Sequence, residues 1–131
     1  MIVIDCSYTM ALVMPDEQLP ASLEQALESR LVAPAVWPLE VANVLRNVVR
    51  RGRLRGVDVS VVCARLDVYG VEVEGGVDIP VVQRCASAAR LDLSAYDAAY
   101  IDLAAQRHYA LATLDSRMAA AAQRAGIPVL S

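Results

Sequence analysis

Four acidic residues lie where the sequence pattern predicts that a strand ends or a helix begins, and we call Asp5, Glu40, Asp97 and Asp115 the acidic quartet. In an open parallel sheet flanked by helices, ligands bind at the carboxyl ends of the strands, so the pattern predicts that the quartet meets in one crevice. Carboxylates that lie close together repel one another unless a cation neutralises them. Because hard oxygen ligands select Mg²⁺ or Mn²⁺, the quartet predicts metal-assisted phosphodiester chemistry.

Each member of the quartet also has a purely structural interpretation. Asp5 and Asp115 can cap helices that begin directly after them. Glu40 and Asp97 lie in first helical turns, where a carboxylate complements the helix dipole. A structural role is credible for any one of them, but all four fall at the same end of the predicted layers. Capping residues at the surface would not need to choose that end, so a common site is the favoured hypothesis.

Two polar residues can support the quartet. Asn43 lies one helical turn after Glu40 on the same predicted face, where its amide can hydrogen-bond a ligand carboxylate or a metal-bound water. Thr113 lies two residues before Asp115, so on an extended strand the two side chains point to the same side. A hydroxyl group at this position can orient a carboxylate or a bound water.

Other residues near Asp97 are given structural roles. Tyr96 and Tyr100 lie four apart on one helix face and can stack on a base, but half-buried packing is the favoured interpretation. Asp102 lies about 140° around the helix from Asp97 and is therefore not counted in the quartet. His108 is the only histidine and ends a predicted helix, so no general-base role is assigned to it.

Short apolar runs alternate with segments of helical periodicity along the whole chain, and these elements must position the quartet. Such alternation predicts an α/β fold with a short, mainly parallel central sheet that is covered by helices on both faces. Pro38 suits the first turn of a long helix, and Ser94 suits the cap of another. The predicted strands are 1–4, 31–33, 71–74, 110–113 and 128–130, and the predicted helices are 7–14, 20–30, 38–53, 57–69, 80–90, 94–108 and 116–125, with Ser7 as the first cap.

Length and composition predict a single domain over residues 1–131. The apolar fraction of 56% fits either a core of small side chains or an apolar surface that meets a partner subunit. No secretory signal and no run of about 18 apolar residues is present, so a cytoplasmic protein without a membrane span is expected. Cys6, Cys63 and Cys85 match no metal-ligand spacing, and reduced, mostly buried thiols are expected.

The charge pattern narrows the function classes. The net charge of −3 argues against nucleic-acid binding by bulk electrostatics. The chain has no lysine, which excludes a P-loop lysine, a Schiff-base lysine and the lysine of receiver domains. Arginines cluster near the end of the predicted helix 38–53, where they can complement the helix dipole, hold RNA phosphates or contact an acidic partner segment. They are Arg46, Arg50, Arg51 and Arg53, followed by Arg55.

The segments 4–5, 37–45, 93–100 and 112–115 together resemble the PIN domain, in particular the VapC-type toxins of bacterial toxin–antitoxin pairs. They read Ile-Asp, Trp-Pro-Leu-Glu-Val-Ala-Asn-Val-Leu, Leu-Ser-Ala-Tyr-Asp-Ala-Ala-Tyr and Ala-Thr-Leu-Asp. The resemblance covers the whole chain in length, order and spacing. The Glu-x-x-Asn and Tyr-Asp-Ala-x-Tyr segments are fairly specific in combination, although each is weak alone.

The resemblance implies a PIN-like three-layer sandwich and an Mg²⁺- or Mn²⁺-dependent endoribonuclease. The acidic quartet matches the family's catalytic, metal-binding positions, while Asn43, Thr113 and Ser7 match supporting positions. The family also implies a homodimer and a cognate antitoxin that covers the active site. Cys6 departs mildly from the pattern, since small residues are common there.

The chemistry expected of such a site needs no protein nucleophile, because metal-bound water attacks the phosphate in line. Three other functions are compatible with some of these features. A non-catalytic binding module with the same fold is disfavoured because all four acidic residues are present. A receiver-like domain would need an acidic pair after the first strand and a late lysine, and both are missing. A DNA nuclease stays open, as do the RNA target, the number of metal ions and the identity of the antitoxin.

Overall fold

Five short strands pair into one sheet, and helices connect them, in the residues that the computed structural model describes, which are 1–56, 58–75 and 78–131. The strands are β1 Ile2–Ile4, β2 Leu31–Ala33, β3 Glu72–Val73, β4 Ala110–Ala112 and β5 Val129–Leu130. The helices are α1 Cys6–Val13, α2 Leu23–Leu27, α3 Trp37–Arg50, α4 Asp58–Tyr69, α5 Val81–Leu91, α6 Ala95–Arg107 and α7 Ser116–Arg124. The predicted α/β fold with a central parallel sheet is confirmed.

The sheet has the strand order β3-β2-β1-β4-β5, and every pairing is parallel. Strand β1 is central, and Val3 pairs with Val32 on one side and Leu111 on the other. All three side chains are fully buried. The chain adds strands on one side of β1 and then on the other, so the order reverses between β1 and β4. Ligands of open α/β sheets bind at such a reversal, at the carboxyl ends of the strands.

Most predicted element boundaries lie within one residue of the observed ones, but two predicted helices end well away from them and one short strand loses half its length. The predicted helix 20–30 shrinks to Leu23–Leu27, because it buries only Ala26 and so has little packing to hold further turns. The predicted helix 38–53 ends at Arg50, because Gly52 adopts a left-handed conformation with φ of 74° and stops the helix. The predicted strand 71–74 is reduced to Glu72–Val73, and position 57 of the predicted helix 57–69 lies outside the described residues.

The expectation of mostly buried thiols was wrong. Cys63 and Cys85 are exposed, Cys6 is half-buried, and all three are free. The reason lies in the helices that carry the exposed pair: α4 buries only Val62 of its described residues, and α5 buries little more. In the described part of the chain, no helix is long and apolar enough to cross a membrane.

Trp37 belongs to the core. It is buried at the start of α3, and its indole nitrogen donates to the Thr9 hydroxyl at 2.9 Å. The Thr9 hydroxyl in turn donates to the carbonyl oxygen of Asp5 at 2.7 Å. This chain of hydrogen bonds fixes the start of α3 against the end of β1, which brings two of the elements that carry acidic residues together.

We predict that Leu111→Ala lowers the free energy of unfolding by about 2–5 kcal/mol, because it opens a cavity inside the sheet layer. Leu39→Ala is the matched control, since Leu39 is 75% exposed; it should change stability by no more than about 0.5 kcal/mol. Urea denaturation followed by circular dichroism measures both. Equal effects of the two substitutions would contradict the assignment of β4 to the core.

Candidate active site

Asp5 follows β1 directly and is 2% exposed. Its extended backbone places the side chain over the first turn of α1, where Oδ1 accepts from the Tyr8 backbone nitrogen at 2.8 Å. The Ser7 hydroxyl donates to the same carboxylate at 2.7 Å, and the Thr113 hydroxyl donates to Oδ2. Asp5 therefore caps α1, and the prediction of Ser7 as the cap was wrong because Ser7 already lies inside the helix.

Thr113 connects the ends of the two central strands. Its side chain is fully buried, and its hydroxyl donates to Asp5 while accepting from the backbone nitrogen of Asp115 at 3.0 Å. The Ser7 hydroxyl makes a parallel connection, because it accepts from the Leu114 backbone nitrogen at 3.0 Å. These two hydroxyl groups therefore fix the segment that carries Asp115 against the carboxylate of Asp5.

Asp115 caps α7, as its structural interpretation required. Its Oδ1 accepts from the backbone nitrogens of Arg117 and Met118 at 2.9 and 3.2 Å. Its Oδ2 accepts no hydrogen bond from the described residues, and the residue is exposed. Capping occupies one oxygen and leaves the other available, so the structural and functional interpretations of this residue do not exclude each other.

Glu40 and Asp97 come from the first turns of α3 and α6, and both are half-buried. Oε1 of Glu40 accepts from the Tyr100 hydroxyl. The predicted cap of α6 is confirmed, because Ser94 Oγ accepts from the Asp97 backbone nitrogen at 3.1 Å. The half-buried packing expected for the two tyrosines was wrong: Tyr100 is 1% exposed and Tyr96 is 62% exposed.

The quartet behaves as one electrostatic unit. Burial raises the pKa of the carboxyl groups of Asp5, Glu40 and Asp97. The nearby charge of Asp115 raises the pKa of Asp5 and Asp97 as well, and the charge of Asp97 raises that of Glu40. Arg117 opposes this weakly by lowering the pKa of Asp97. Residues from four distant segments are thus near enough to repel one another, which favours binding of a cation.

Cys6 lies within reach of the same charges. Burial raises the pKa of its thiol to about 12, with further contributions from the carboxylates of Glu40, Asp5 and Asp97. The thiol is therefore protonated and neutral at physiological pH. This departure from the family's usual small residue adds no charge to the site.

The oxygen donors of the quartet suit a hard divalent cation by type. In the described part of the chain, however, no three histidine, cysteine, aspartate or glutamate side chains are grouped closely enough to hold a metal ion by themselves. Mg²⁺ commonly uses only one or two carboxylates and keeps several waters, rather than occupying an all-protein cage. An open arrangement of carboxylates around one buried member is compatible with that mode of binding.

The remaining predicted site residues make no hydrogen bond or ion pair with the quartet in the described part of the chain. Asn43 is exposed and makes no side-chain hydrogen bond within the described residues. Arg53 forms an ion pair with Asp16 at 2.9 Å. Arg50 and Arg51 are exposed at the far end of α3, about 15 Å along the helix from its acidic first turn. Contact of these arginines with RNA or a partner stays a prediction.

Two residues beside the quartet were not identified from the sequence. The sequence pattern predicts packing for Tyr100, although its position three residues after Asp97 on a helix is a usable signal. Arg117 received no role; it is exposed, and its guanidinium donates to the Asp92 carbonyl at 3.0 Å. Its only sequence signal is its position in the first turn after Asp115.

The fold and the site define the chain as an α/β domain with acidic residues at the carboxyl edge of a parallel sheet. The PIN domain profile matches residues 2–124, so the chain belongs to the PIN domain family, whose members are typically nucleases. The crystal structure of PAE2754 from Pyrobaculum aerophilum is similar, with a TM-score of 0.72 and 23% identity over 98% of this chain and 89% of that chain. At that identity, the likeness shows the fold alone. No curated protein matches the chain in sequence.

We predict that the free energy of unfolding of metal-free Asp5→Asn, measured relative to that of wild type, increases as the pH rises. The folded-state pKa of Asp5 is raised above its ordinary value of 3.8, so the wild type loses stability as the pH rises through that window, whereas asparagine carries no charge. Urea denaturation in EDTA at about pH 4 and about pH 7.5 measures the difference. Asp67→Asn, which alters an exposed carboxylate on α4, is the control. A pH-independent difference for Asp5→Asn would contradict the prediction.

Proposed function

We propose that this protein is an Mg²⁺- or Mn²⁺-dependent endoribonuclease and the toxin component of a type II toxin–antitoxin pair. The observation that carries the proposal is the position of the acidic residues at the strand-order reversal of a PIN fold, where Thr113 joins the Asp5 carboxylate to the backbone of Asp115. Among the described residues, no member of the quartet forms an ion pair. Like charges that lie close together in this way favour the binding of a cation. The nuclease character of the family supplies the reaction class.

Asp5 and Asp97 are the residues that would hold the metal ion directly, while Glu40 and Asp115 would act partly through water. When bound, Mg²⁺ or Mn²⁺ would lower the pKa of a coordinated water and neutralise charge on the scissile phosphate. Asp5 is suited to the role because three hydrogen-bond donors orient its carboxylate in advance. Outer hydrogen bonds of this kind fix the direction of a ligand and raise metal affinity.

Asp115 and Thr113 have separate supporting roles in this proposal. Asp115 keeps Oδ2 free of protein donors in the described residues, so it can accept a proton or a hydrogen bond from a water at the site. Thr113 holds the backbone of Asp115 and the side chain of Asp5 at once, which keeps the two carboxylates in register. Preorganised groups of this kind need no rearrangement when charge develops on the phosphate.

The toxin assignment rests on the resemblance of the motif segments to VapC-type proteins. It implies two partners, a second copy of the chain and a cognate antitoxin. A homodimer and a cognate antitoxin both require apolar surface, and α3 and α4 enclose an open apolar groove of about 500 Å³. Its lining includes the apolar residues Trp37, Val41, Leu45 and Leu66 and the basic residue Arg46. An antitoxin segment with apolar side chains and a carboxylate would complement this surface.

The proposal is tested by incubating a labelled structured RNA with the purified protein in Mg²⁺, Mn²⁺ or EDTA. We expect cleavage in either metal and none in EDTA. Asp97→Asn should lower the cleavage rate at least about 100-fold, because it removes a charge that holds the cation. Asp102→Asn is the matched control: Asp102 lies on the same helix but accepts from Ser87 on α5, so the rate should be unchanged.

Two results would separate the alternatives. If wild type and Asp97→Asn are equally inert on several RNAs, including whole transfer RNA, the nuclease proposal fails and the non-catalytic binding module replaces it. If a single-stranded DNA of the same sequence is cut as fast as the RNA, the enzyme does not use the 2′-hydroxyl group. It is then a general nuclease rather than a ribonuclease.

A further inference from the structure

Tyr100 is a buried tyrosine whose only polar atom points at the acidic quartet. Its side chain is 1% exposed, and its hydroxyl donates to Oε1 of Glu40. Within the described residues, no other donor reaches the Glu40 side chain. A buried hydroxyl group needs a hydrogen-bond partner, whereas phenylalanine would fill nearly the same volume without one. The hydrogen bond to Glu40 is therefore what distinguishes tyrosine from phenylalanine at this position.

The hydrogen bond joins two helices that are distant in sequence. Tyr100 lies three residues after Asp97, so the two side chains project from neighbouring positions on one face of α6. Glu40 belongs to α3 and is 60 residues away in the chain. One face of α6 therefore supplies an acidic residue of the quartet and also the group that holds a second acidic residue.

A fixed hydrogen-bond partner matters more for Glu40 than for the three aspartates of the quartet. A glutamate side chain has three rotatable bonds, so its carboxylate can take several positions unless a partner fixes it. The Tyr100 hydroxyl fixes Oε1, while Oε2 receives no hydrogen bond from the described residues. The second oxygen is thereby available to a cation or to a cation-bound water.

We propose that Tyr100 is a positioning residue that fixes the Glu40 carboxylate for divalent-cation binding. The inference rests on the proposed function, because it assumes that the acidic quartet holds Mg²⁺ or Mn²⁺. Tyr100 itself contacts neither substrate nor metal; it acts through Glu40. An outer-shell hydrogen bond of this type commonly changes metal affinity by about 10- to 100-fold.

Isothermal titration with Mn²⁺ alone, without RNA, tests the proposal on Tyr100→Phe. We expect the Kd to rise about tenfold. Ser87→Ala is the matched control, because Ser87 is also buried and its hydroxyl donates to Asp102, which is not a member of the quartet. Both variants lose one buried hydroxyl group, so thermal unfolding in EDTA should show similar stability losses, but only Tyr100→Phe should weaken Mn²⁺ binding.

A double-substitution cycle with Glu40→Gln shows whether Tyr100 acts through Glu40. We expect Tyr100→Phe to have little further effect on the Kd when glutamine replaces Glu40. An equal loss in both backgrounds overturns the positioning role, and so does a wild-type Kd for Tyr100→Phe; in either case the nuclease proposal stands if wild type binds Mn²⁺ and cuts RNA. If wild type neither binds Mn²⁺ nor cuts RNA, the proposed function fails first and the inference fails with it.

Discussion

The buried carboxylate of Asp5 is the constraint around which the site is arranged. A charge placed at the end of the central strand loses its hydration, and this loss has to be compensated by hydrogen bonds. The compensation comes from Ser7, Thr113 and the backbone of Tyr8, which belong to α1 and to the end of β4. Because these donors come from the segments that follow both strands, their hydrogen bonds to Asp5 also fix the geometry of the two strand ends.

Capping and function share the same residues in this fold. Asp5 and Asp115 each cap a helix that starts at the carboxyl edge of the sheet. A cap occupies one carboxylate oxygen, and the parallel sheet directs the starts of the following helices to one edge. The fold can therefore gather acidic residues at one place while each of them stabilises its own helix, so local stability and a common site do not compete.

The quartet also imposes a cost on the fold. Burial and mutual repulsion raise the pKa of Asp5, Glu40 and Asp97, which means that their charged forms are disfavoured in the metal-free protein. Arg117 is the cation that relieves Asp97, and it does so from an exposed position. Sites that store unfavourable charge in this way commonly trade stability for activity. Binding of a cation would remove the repulsion and stabilise the folded state by mass action.

The sequence by itself determined the α/β architecture and the positions of the acidic residues, because both depend on local pattern. Apolar runs and helical periodicity define the elements, and Asp5 and Asp115 stand directly at their ends. Only the tertiary structure decided which side chains meet. The Thr113 hydroxyl reaches Asp5 over 108 residues, and the Tyr100 hydroxyl reaches Glu40 over 60. Such partners depend on how helices pack on the sheet and on side-chain rotamers, which a periodic pattern of residue types does not specify.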